Sequence, residues 1–219
     1  SFTGMTIASS ELEAGELWTV RVTPDDGYIA GTYAELSVEI SNSLPQVFAV
    51  SISPSGTVYN DSFLSCSGTV FDLDETLIPN YSWSVGGNTY LGSTLDLSNV
   101  SVLPMESVLC TVSVMDSQGE MASGSTSVIL DNRAPVIASA SISSSGSGGQ
   151  AFVDSTLTCA VSSSDLDGEA ILDSFSWWIS GNQVGTASSL SLDPSTVSPQ
   201  DIVECMVTSA DGYGGTATD

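Results

Sequence analysis

The side chains of this sequence that can do chemistry are almost all carboxylates. The chain has 26 Asp and Glu residues, two Arg or Lys residues, no histidine and a formal net charge of -24. Two sets of acids share similar spacing in short turn-rich segments: Asp72, Asp74, Glu75 and Asp116, and then Asp165, Asp167, Glu169 and Asp211. Hard cations such as calcium take about six to eight oxygen ligands from carboxylates, carbonyls and waters. The acids thus favour calcium as a bound ion, although no cofactor is predicted to be required. The alternative is that Asp and Gly simply form turns and solvated loops.

The missing residue types exclude most other chemistry. Without histidine there is no Ser-His-Asp triad and no His-ligated metal, and without lysine there is no Schiff base or P-loop. Arg21 and Arg133 stand far apart, so neither nucleic acid nor an anionic membrane surface is an expected partner. No apolar run approaches the roughly 18 residues of a membrane span, so no membrane insertion is expected in this segment. Nothing marks a carboxylate pair for glycoside hydrolysis, and the sequence predicts that the chain is not an enzyme.

Two long segments of the chain are copies of one unit, and this repeat determines how the acids are distributed. Five anchor residues recur in the same order 90 to 95 residues apart: Pro45 and Pro135, Cys66 and Cys159, Trp83 and Trp177, Cys110 and Cys205, Asp116 and Asp211. The sequence predicts the C-terminal half of a repeat at 1–43, a complete repeat at 44–132 and a repeat lacking its last strand at 133–219. We interpret the chain as a window on a longer tandem array.

Within each copy, apolar residues alternate with small polar ones, which is the period of a β-strand. Gly, Asn, Asp and Pro separate the runs, and no stretch indicates a helix of useful length. The alternation is clearest in Leu64, Cys66 and Val70; Tyr81, Trp83 and Val85; Cys110, Val112 and Val114; and in Leu157, Cys159 and Val161; Phe175, Trp177 and Ile179; Val203, Cys205 and Val207. These are the short strands of an antiparallel sandwich.

Four cysteines allow three pairings, and the repeat favours the one in which each complete copy keeps its own pair. The two cysteines of a copy lie 44 or 46 residues apart, with a tryptophan 17 or 18 residues after the first. This order is typical of immunoglobulin sandwiches, in which the disulfide joins the two sheets and the tryptophan packs on it. We predict the disulfides Cys66–Cys110 and Cys159–Cys205; the alternative is free thiols in a reducing compartment. The predicted fold is all-β, with tandem antiparallel immunoglobulin-like β-sandwich repeats in an extended array.

Several short runs resemble the tandem Ig-like, PKD-like repeats of very large prokaryotic surface proteins. These runs are Ile52-Ser53-Pro54, Leu64-Ser65-Cys66, Asp72-Leu73-Asp74, Tyr81-Ser82-Trp83 and Leu109-Cys110-Thr111-Val112, with their counterparts as far as Asp211-Gly212-Tyr213-Gly214-Gly215-Thr216. The linker Asp131-Asn132-Arg133-Ala134-Pro135 also resembles the joint between cadherin repeats. The resemblance implies an architecture, but such repeats serve as stalks, spacers, adhesive modules and filament subunits.

The implied topology brings the acidic loops of each repeat to the joint with the preceding repeat, where calcium would stiffen the array. The predicted metal ligands at the second joint are Asp131, Asn132, Asp165, Asp167 and Asp211, and at the first joint Asp72, Asp74 and Asp116. Glu106 is expected to approach the second joint from the preceding repeat. The second joint is favoured, because the first linker, residues 41–45, contains no acid.

Two further kinds of surface site are predicted. Three Asn-x-Ser sequons begin at Asn60, Asn80 and Asn99, which are candidate glycan acceptors in a secreted chain, although about two are expected by chance in so serine-rich a sequence. Trp178 and Tyr213 are candidate exposed aromatics for stacking on a sugar or a neighbouring subunit. Singly exposed apolar residues are also normal on protein surfaces.

The repeats, the cysteine pattern and the lack of catalytic chemistry predict a structural extracellular segment that forms a stalk, rod or filament of a large cell-surface protein. Its expected partners are neighbouring repeats or copies of itself, and then surface glycans or other cells. Donor-strand pairing with a neighbouring chain is one way to complete the end repeats, and further sequence of one polypeptide is the other. Two alternatives remain: an adhesin or carbohydrate-binding module that uses an exposed loop or strand face, and a spacer of a secreted enzyme.

Overall fold

A computed structural model describes Gly4 and residues 6–219 of the chain. In this part of the chain the regular elements are sixteen β-strands and three short 3-10 turns, at Ser9–Glu11, Leu97–Asn99 and Ser147–Gly149. The earlier strands are β1 (Leu17–Val22), β2 (Ala34–Glu39), β3 (Gln46–Ser53), β4 (Phe63–Phe71), β5 (Asn80–Val85), β6 (Asn88–Leu91), β7 (Thr94–Asp96), β8 (Ser107–Met115) and β9 (Met121–Ile129). The later strands are β10 (Val136–Ser144), β11 (Thr156–Ser164), β12 (Leu172–Ile179), β13 (Asn182–Gly185), β14 (Ser189–Ser191), β15 (Val203–Ala210) and β16 (Thr216–Thr218). Among these residues no helix is long and apolar enough to cross a membrane.

The same sheet order occurs twice. Strands β3-β4-β7 form a three-stranded sheet and β6-β5-β8-β9 a four-stranded one, and β10-β11-β14 and β13-β12-β15-β16 repeat both orders. The pairs for which a register is resolved are antiparallel. Seven strands in two sheets are the arrangement of an immunoglobulin-like sandwich. The predicted all-β fold of tandem antiparallel Ig-like repeats is confirmed.

Contacts between residues divide the chain into two compact units. The first comprises Ser1–Ser53, Ser65–Leu95 and Leu109–Ser127, and the second comprises Pro54–Leu64, Asp96–Val108 and Val128–Asp219. This division is one of contacts and does not test the repeat boundaries at 1–43, 44–132 and 133–219, which remain a prediction from the sequence.

In the first unit a tryptophan and a disulfide form the centre of the core. The disulfide Cys66–Cys110 joins β4 to β8 and therefore crosses between the two sheets. Trp83 lies opposite Cys110 in the pairing of β5 with β8, and it is fully buried. Its indole Nε1 donates a hydrogen bond of 2.9 Å to the Gly92 carbonyl, so burial leaves no polar atom of the ring unpaired.

The second unit contains the equivalent core of the third repeat. Cys159–Cys205 joins β11 to β15, and Leu157, Trp177 and Val207 are the buried apolar residues around it. The Trp177 indole donates to the Ala187 carbonyl at 2.8 Å. The disulfides close loops of 44 and 46 residues, which in the chain-entropy model stabilises the fold by about 4 kcal/mol each.

Candidate metal centre at the repeat joints

Each joint between sequence repeats consists of a linker and two loops that begin with an aspartate. We call residues 41–45 with the β4–β5 and β8–β9 loops the first joint, and residues 131–135 with the β11–β12 and β15–β16 loops the second joint. Asp72 and Asp116 directly follow β4 and β8, and Asp165 and Asp211 directly follow β11 and β15. A carboxylate at a strand end accepts hydrogen bonds from the next backbone N–H groups, which turns the chain out of the strand.

In the first joint the linker is hydrogen-bonded to both loops. The Asn42 side chain donates from Nδ2 to Asp116 Oδ2 at 2.8 Å, and the Ser43 N–H donates to Asp74 Oδ2 at 2.5 Å. The Asp74 N–H in turn donates to Asp72 Oδ1 at 2.8 Å. Both contacts from the linker end on carboxylates, so they are charge-assisted hydrogen bonds, which are stronger than neutral ones.

The second joint repeats these contacts residue by residue. Asn132 Nδ2 donates to Asp211 Oδ2 at 2.9 Å, and the Arg133 N–H donates to Asp167 Oδ2 at 2.6 Å. The Asp167 N–H donates to Asp165 Oδ1 at 2.8 Å. Gly215 lies against this linker, and a Cβ built on it would be 2.7 Å from the Ala134 Cα, so the close approach requires a glycine.

The aspartates bound by the linker asparagines are held in the ionised form. Burial by itself raises the pKa of Asp211, but the hydrogen bonds from Asn132 and from the N–H groups of Tyr213 and Gly215 outweigh it, so the pKa lies below its ordinary value. The pKa of Asp116 is lowered in the same way: burial opposes ionisation, and the bonds from Asn42 and the following loop favour it more strongly. Each carboxylate therefore acts as a fixed acceptor at its joint.

A cluster of three acids in the second joint has the composition of a cation site. Ligand oxygens of Asp165, Asp167 and Glu169 all lie within 4.8 Å of one another. Burial raises the pKa of Glu169, and the neighbouring charges of Asp165 and Asp167 raise it further. Three carboxylates this close repel one another, and a bound cation relieves such repulsion.

The donor set of this joint fits a hard cation. Among the described residues of this joint, the buried oxygens without a hydrogen-bond partner are Asp165 Oδ2, both carboxylate oxygens of Glu169 and Asn132 Oδ1. Such unpaired buried oxygens are costly unless something binds them. The first joint has two of this kind, Asn42 Oδ1 and Asp72 Oδ2, so its donor set is the poorer one.

The predicted ligands thus have different surroundings. Asp165 and Asp167 lie together with Glu169, whereas Asp211 is occupied by the three hydrogen bonds described above. The Asp131 carboxylate accepts from the Val58 N–H at 2.9 Å, and Asp72, Asp74 and Asp116 bind the first linker and their own loops. Metal binding at any of these residues remains a prediction.

Arg133 contributes a charge that the sequence interpretation missed. Its guanidinium donates from Nη1 to Asp167 Oδ1 at 2.8 Å and from Nη2 to Asp61 Oδ1 at 2.5 Å. The guanidinium carbon lies 3.9 Å from the centre of the Tyr59 ring, a cation–π contact. The hydrogen bond from Arg133 lowers the pKa of Asp61. One feature of the sequence could have indicated this role: Arg133 lies inside the acidic linker, at the position where the first joint has Ser43.

The predicted surface sites differ in exposure. Asn80 and Asn99 are exposed, whereas Asn60 is half-buried and donates from Nδ2 to the Asp167 carbonyl at 2.6 Å. Trp178 and Tyr213 are both half-buried, and the Trp178 indole donates to Ser176 Oγ at 3.2 Å. Glycosylation and stacking at these residues remain predictions.

Comparison with known proteins gives distant structural similarities. No protein-family model and no curated protein matches the chain. It is 19% identical to a solved 1.5-MDa bacterial ice-binding adhesin, with a TM-score of 0.36, over 97% of this chain and 75% of that one. For a Ca²⁺-stabilised adhesin with which an Antarctic bacterium binds ice, the identity is 14% and the TM-score 0.31, over 93% of this chain and 55% of that one. For extracellular cadherin domains 3–6 of protocadherin gamma B2, the identity is 15% and the TM-score 0.33, over 92% of this chain and 55% of that one. Similarities this low carry no argument about function, and the assignment as tandem Ig-like repeats rests on the chain's own sheet order.

Replacing Arg133 by serine, its counterpart in the first joint, is expected to lower the free energy of unfolding by about 1–3 kcal/mol. The buried Asp167 carboxylate then loses its cation, while the backbone contact of residue 133 is kept. Urea unfolding measures the loss. The control is Arg21→Ser, which removes the exposed arginine paired with Glu35 and is expected to change stability by less than about 1 kcal/mol. Equal losses for the two variants would contradict a special role for Arg133.

The lowered pKa of Asp211 predicts an acid-sensitive joint. Because the folded chain binds this proton less readily than the unfolded chain, the stabilisation is complete above the ordinary Asp pKa of 3.8. It is lost as the pH falls through the lower folded value, so we expect stability to decline below about pH 4. Asp211→Asn is expected to be less stable at neutral pH and to decline less steeply in acid, as measured by urea unfolding over a pH series. Asp154→Asn, at an exposed carboxylate of the same repeat, serves as the control, and parallel curves for both variants would count against the role of Asp211.

Proposed function

We propose that this chain is a structural segment of an extracellular, cell-surface protein, in which Ig-like repeats are joined in series as a stalk, rod or filament. The observation that carries the proposal is the recurrence of the joint: Asn42 with Asp116 and Asn132 with Asp211 make the same bond at 2.8 and 2.9 Å. A linker that binds its loops in the same way at successive joints is what serial assembly of repeats requires.

The disulfides support a location outside the cytoplasm. Both Cys66–Cys110 and Cys159–Cys205 are formed, and the structure contains no free cysteine among its described residues. Disulfides persist in oxidising compartments and on cell surfaces, and they are rare in the reducing cytosol. A buried bridge in each sandwich also suits a segment exposed to proteases and mechanical load.

Calcium is the ion we propose for the second joint. Asp165, Asp167 and Glu169 would hold it, with Asn132 Oδ1 as a neutral donor, because the three carboxylates lie together and Asp165, Glu169 and Asn132 offer unpaired buried oxygens. A bound cation would supply positive charge to three mutually repelling carboxylates. Asp167 can take part although it binds Arg133, since a carboxylate offers about four acceptor positions. A chain without lysine must draw most of its compensating charge from the medium.

Calcium is expected to raise the melting temperature of the chain, by an amount that grows steadily once the calcium concentration exceeds the dissociation constant. Glu169→Gln is expected to raise the melting temperature in chelator, because it removes a carboxylate that is costly to bury, and to reduce the gain that calcium gives. Differential scanning fluorimetry of both proteins over a calcium titration measures the two effects.

The matched control is Glu120→Gln, at an exposed glutamate of the β8–β9 loop, which is expected to respond to calcium as the unmodified chain does. Magnesium at equal concentration tests selectivity, since its smaller octahedral shell suits such a site less well. Identical melting curves with calcium and with chelator would refute the calcium proposal and leave the structural proposal untouched.

The structural proposal itself is tested on native cells. An antibody raised against the chain is expected to label intact, unpermeabilised cells, and immunogold imaging is expected to place the label on stalks or fibres projecting from the surface. Label confined to the cell interior, or found in the medium attached to a catalytic domain, would contradict the proposal in favour of a different class of protein.

A further inference from the structure

The Arg133 guanidinium bridges two carboxylates, one in the second joint and one in the segment between β3 and β4. Its Nη1 lies 2.8 Å from Asp167 Oδ1, and its Nη2 lies 2.5 Å from Asp61 Oδ1. The Arg133 side chain is 19% exposed, and the Asp167 side chain is fully buried. Long basic side chains usually keep their charged end in water, and this one instead brings its charge to a buried carboxylate.

The two carboxylates meet for reasons that do not depend on the guanidinium alone. Asn60, the neighbour of Asp61, donates from Nδ2 to the Asp167 carbonyl at 2.6 Å. The Arg133 backbone N–H donates to Asp167 Oδ2, also at 2.6 Å. All four residues belong to the second compact unit. Removal of the Arg133 side chain therefore leaves two contacts that hold these segments together.

The Tyr59 ring covers one face of the guanidinium. The guanidinium carbon lies 3.9 Å from the ring centre, a cation–π contact. The hydrogen bond with Asp61 raises the pKa of Arg133 and lowers the pKa of Asp61, so both groups keep their charges. A planar fork that binds two carboxylates and stacks on an aromatic ring is a use of arginine that lysine cannot copy.

The two oxygens that the guanidinium binds are those that a cation would bind in its place. Among the described residues, Asp167 Oδ1 accepts a hydrogen bond from Arg133 alone, while Oδ2 accepts from the backbone. Without the guanidinium, Asp61 Oδ1 and Asp167 Oδ1 would approach each other with no positive charge between them. Carboxylates that share a site repel each other, and hard divalent ions bind such oxygens. The guanidinium thus occupies the place of an ion.

We propose that Asp61 and Asp167 form a second cation position beside the proposed calcium site, and that Arg133 fills this position from within the chain. The expected number of ions rests on the proposed function, in which Asp165, Asp167 and Glu169 hold calcium. The joint then takes up one ion fewer from the medium than its carboxylates could bind. The position of Arg133 is closed at every calcium concentration, so only the part of the joint around Glu169 responds to calcium.

Arg133→Ser in the whole chain opens the proposed position. Isothermal titration calorimetry is expected to show one more bound calcium per chain than in the unmodified protein. The reason is that the Asp61 side chain is 58% exposed and can turn towards an ion that Asp167 Oδ1 also binds. Calcium is also expected to restore the melting temperature that the variant loses in chelator. Arg133→Lys is the matched control, because it keeps a positive charge there and is expected to bind no additional ion.

Terbium(III) reports where the additional ion binds, since it takes oxygen ligands as calcium does and emits when a neighbouring tyrosine is excited. The Tyr59 ring lies against the guanidinium, so an ion in the place of the guanidinium would lie beside this ring. Arg133→Ser is therefore expected to gain tyrosine-excited terbium emission. Adding Tyr59→Phe to this variant is expected to abolish the gain.

The number of bound ions separates this proposal from the calcium proposal. Equal numbers in the unmodified chain and in Arg133→Ser would overturn the role of Arg133, whether or not the site at Glu169 binds calcium. An ion bound by Arg133→Ser but none by the unmodified chain would support the role of Arg133 and refute the calcium proposal.

Two further results would overturn the role of Arg133: an additional ion in Arg133→Lys, or a gain of terbium emission that survives Tyr59→Phe. If Arg133→Ser does not fold, Arg133→Gln takes its place with the same expected gain, because glutamine keeps part of the aliphatic stem without the charge.

Discussion

The hydrogen-bonded carboxylate at the end of a strand is the interaction on which the joints depend. Asp116 and Asp211 each accept N–H groups from their own loop and an amide from the linker asparagine. One side chain therefore shapes the turn and also binds the linker of the preceding repeat. Buried carboxylates are stable only when their oxygens are paired. The asparagine on the other side must therefore stay close, which fixes the path of the linker.

A shortage of basic residues makes the two joints chemically different although their hydrogen bonds match. Arg133 lies between Asp61 and Asp167 in the second joint, where the first joint has the neutral Ser43. One guanidinium does not compensate the whole second joint, because Glu169 and Asp165 keep unpaired buried oxygens. The joint thus combines an internal cation with the site that we propose for a cation from the medium. Exposed charge is screened by salt, but buried charge of this kind is screened much less.

Much of the fold was predictable from short-range patterns. Period-two runs predicted the strands, and the recurrence of Cys66 and Trp83 as Cys159 and Trp177 predicted one sandwich built twice. These features can be recognised in the sequence because each apolar position must face the core in both copies of the repeat. The meeting of linker and loops also follows from topology once the fold is known. The role of Arg133 could not be predicted in this way, because its long side chain can reach partners in several directions and the sequence does not specify which.

The sequence by itself determined the class of fold, the pairing of cysteines within each copy and the acidic character of the joints, because these depend on residue type and spacing. Only the tertiary structure decided which oxygens are already used. Asp131 and Asp211 look like free ligands in the sequence, yet backbone N–H groups and the Asn132 amide occupy them, while Glu169 is left unpaired. Asn132 and Asp211 are 79 residues apart, and no local pattern encodes a contact of that range.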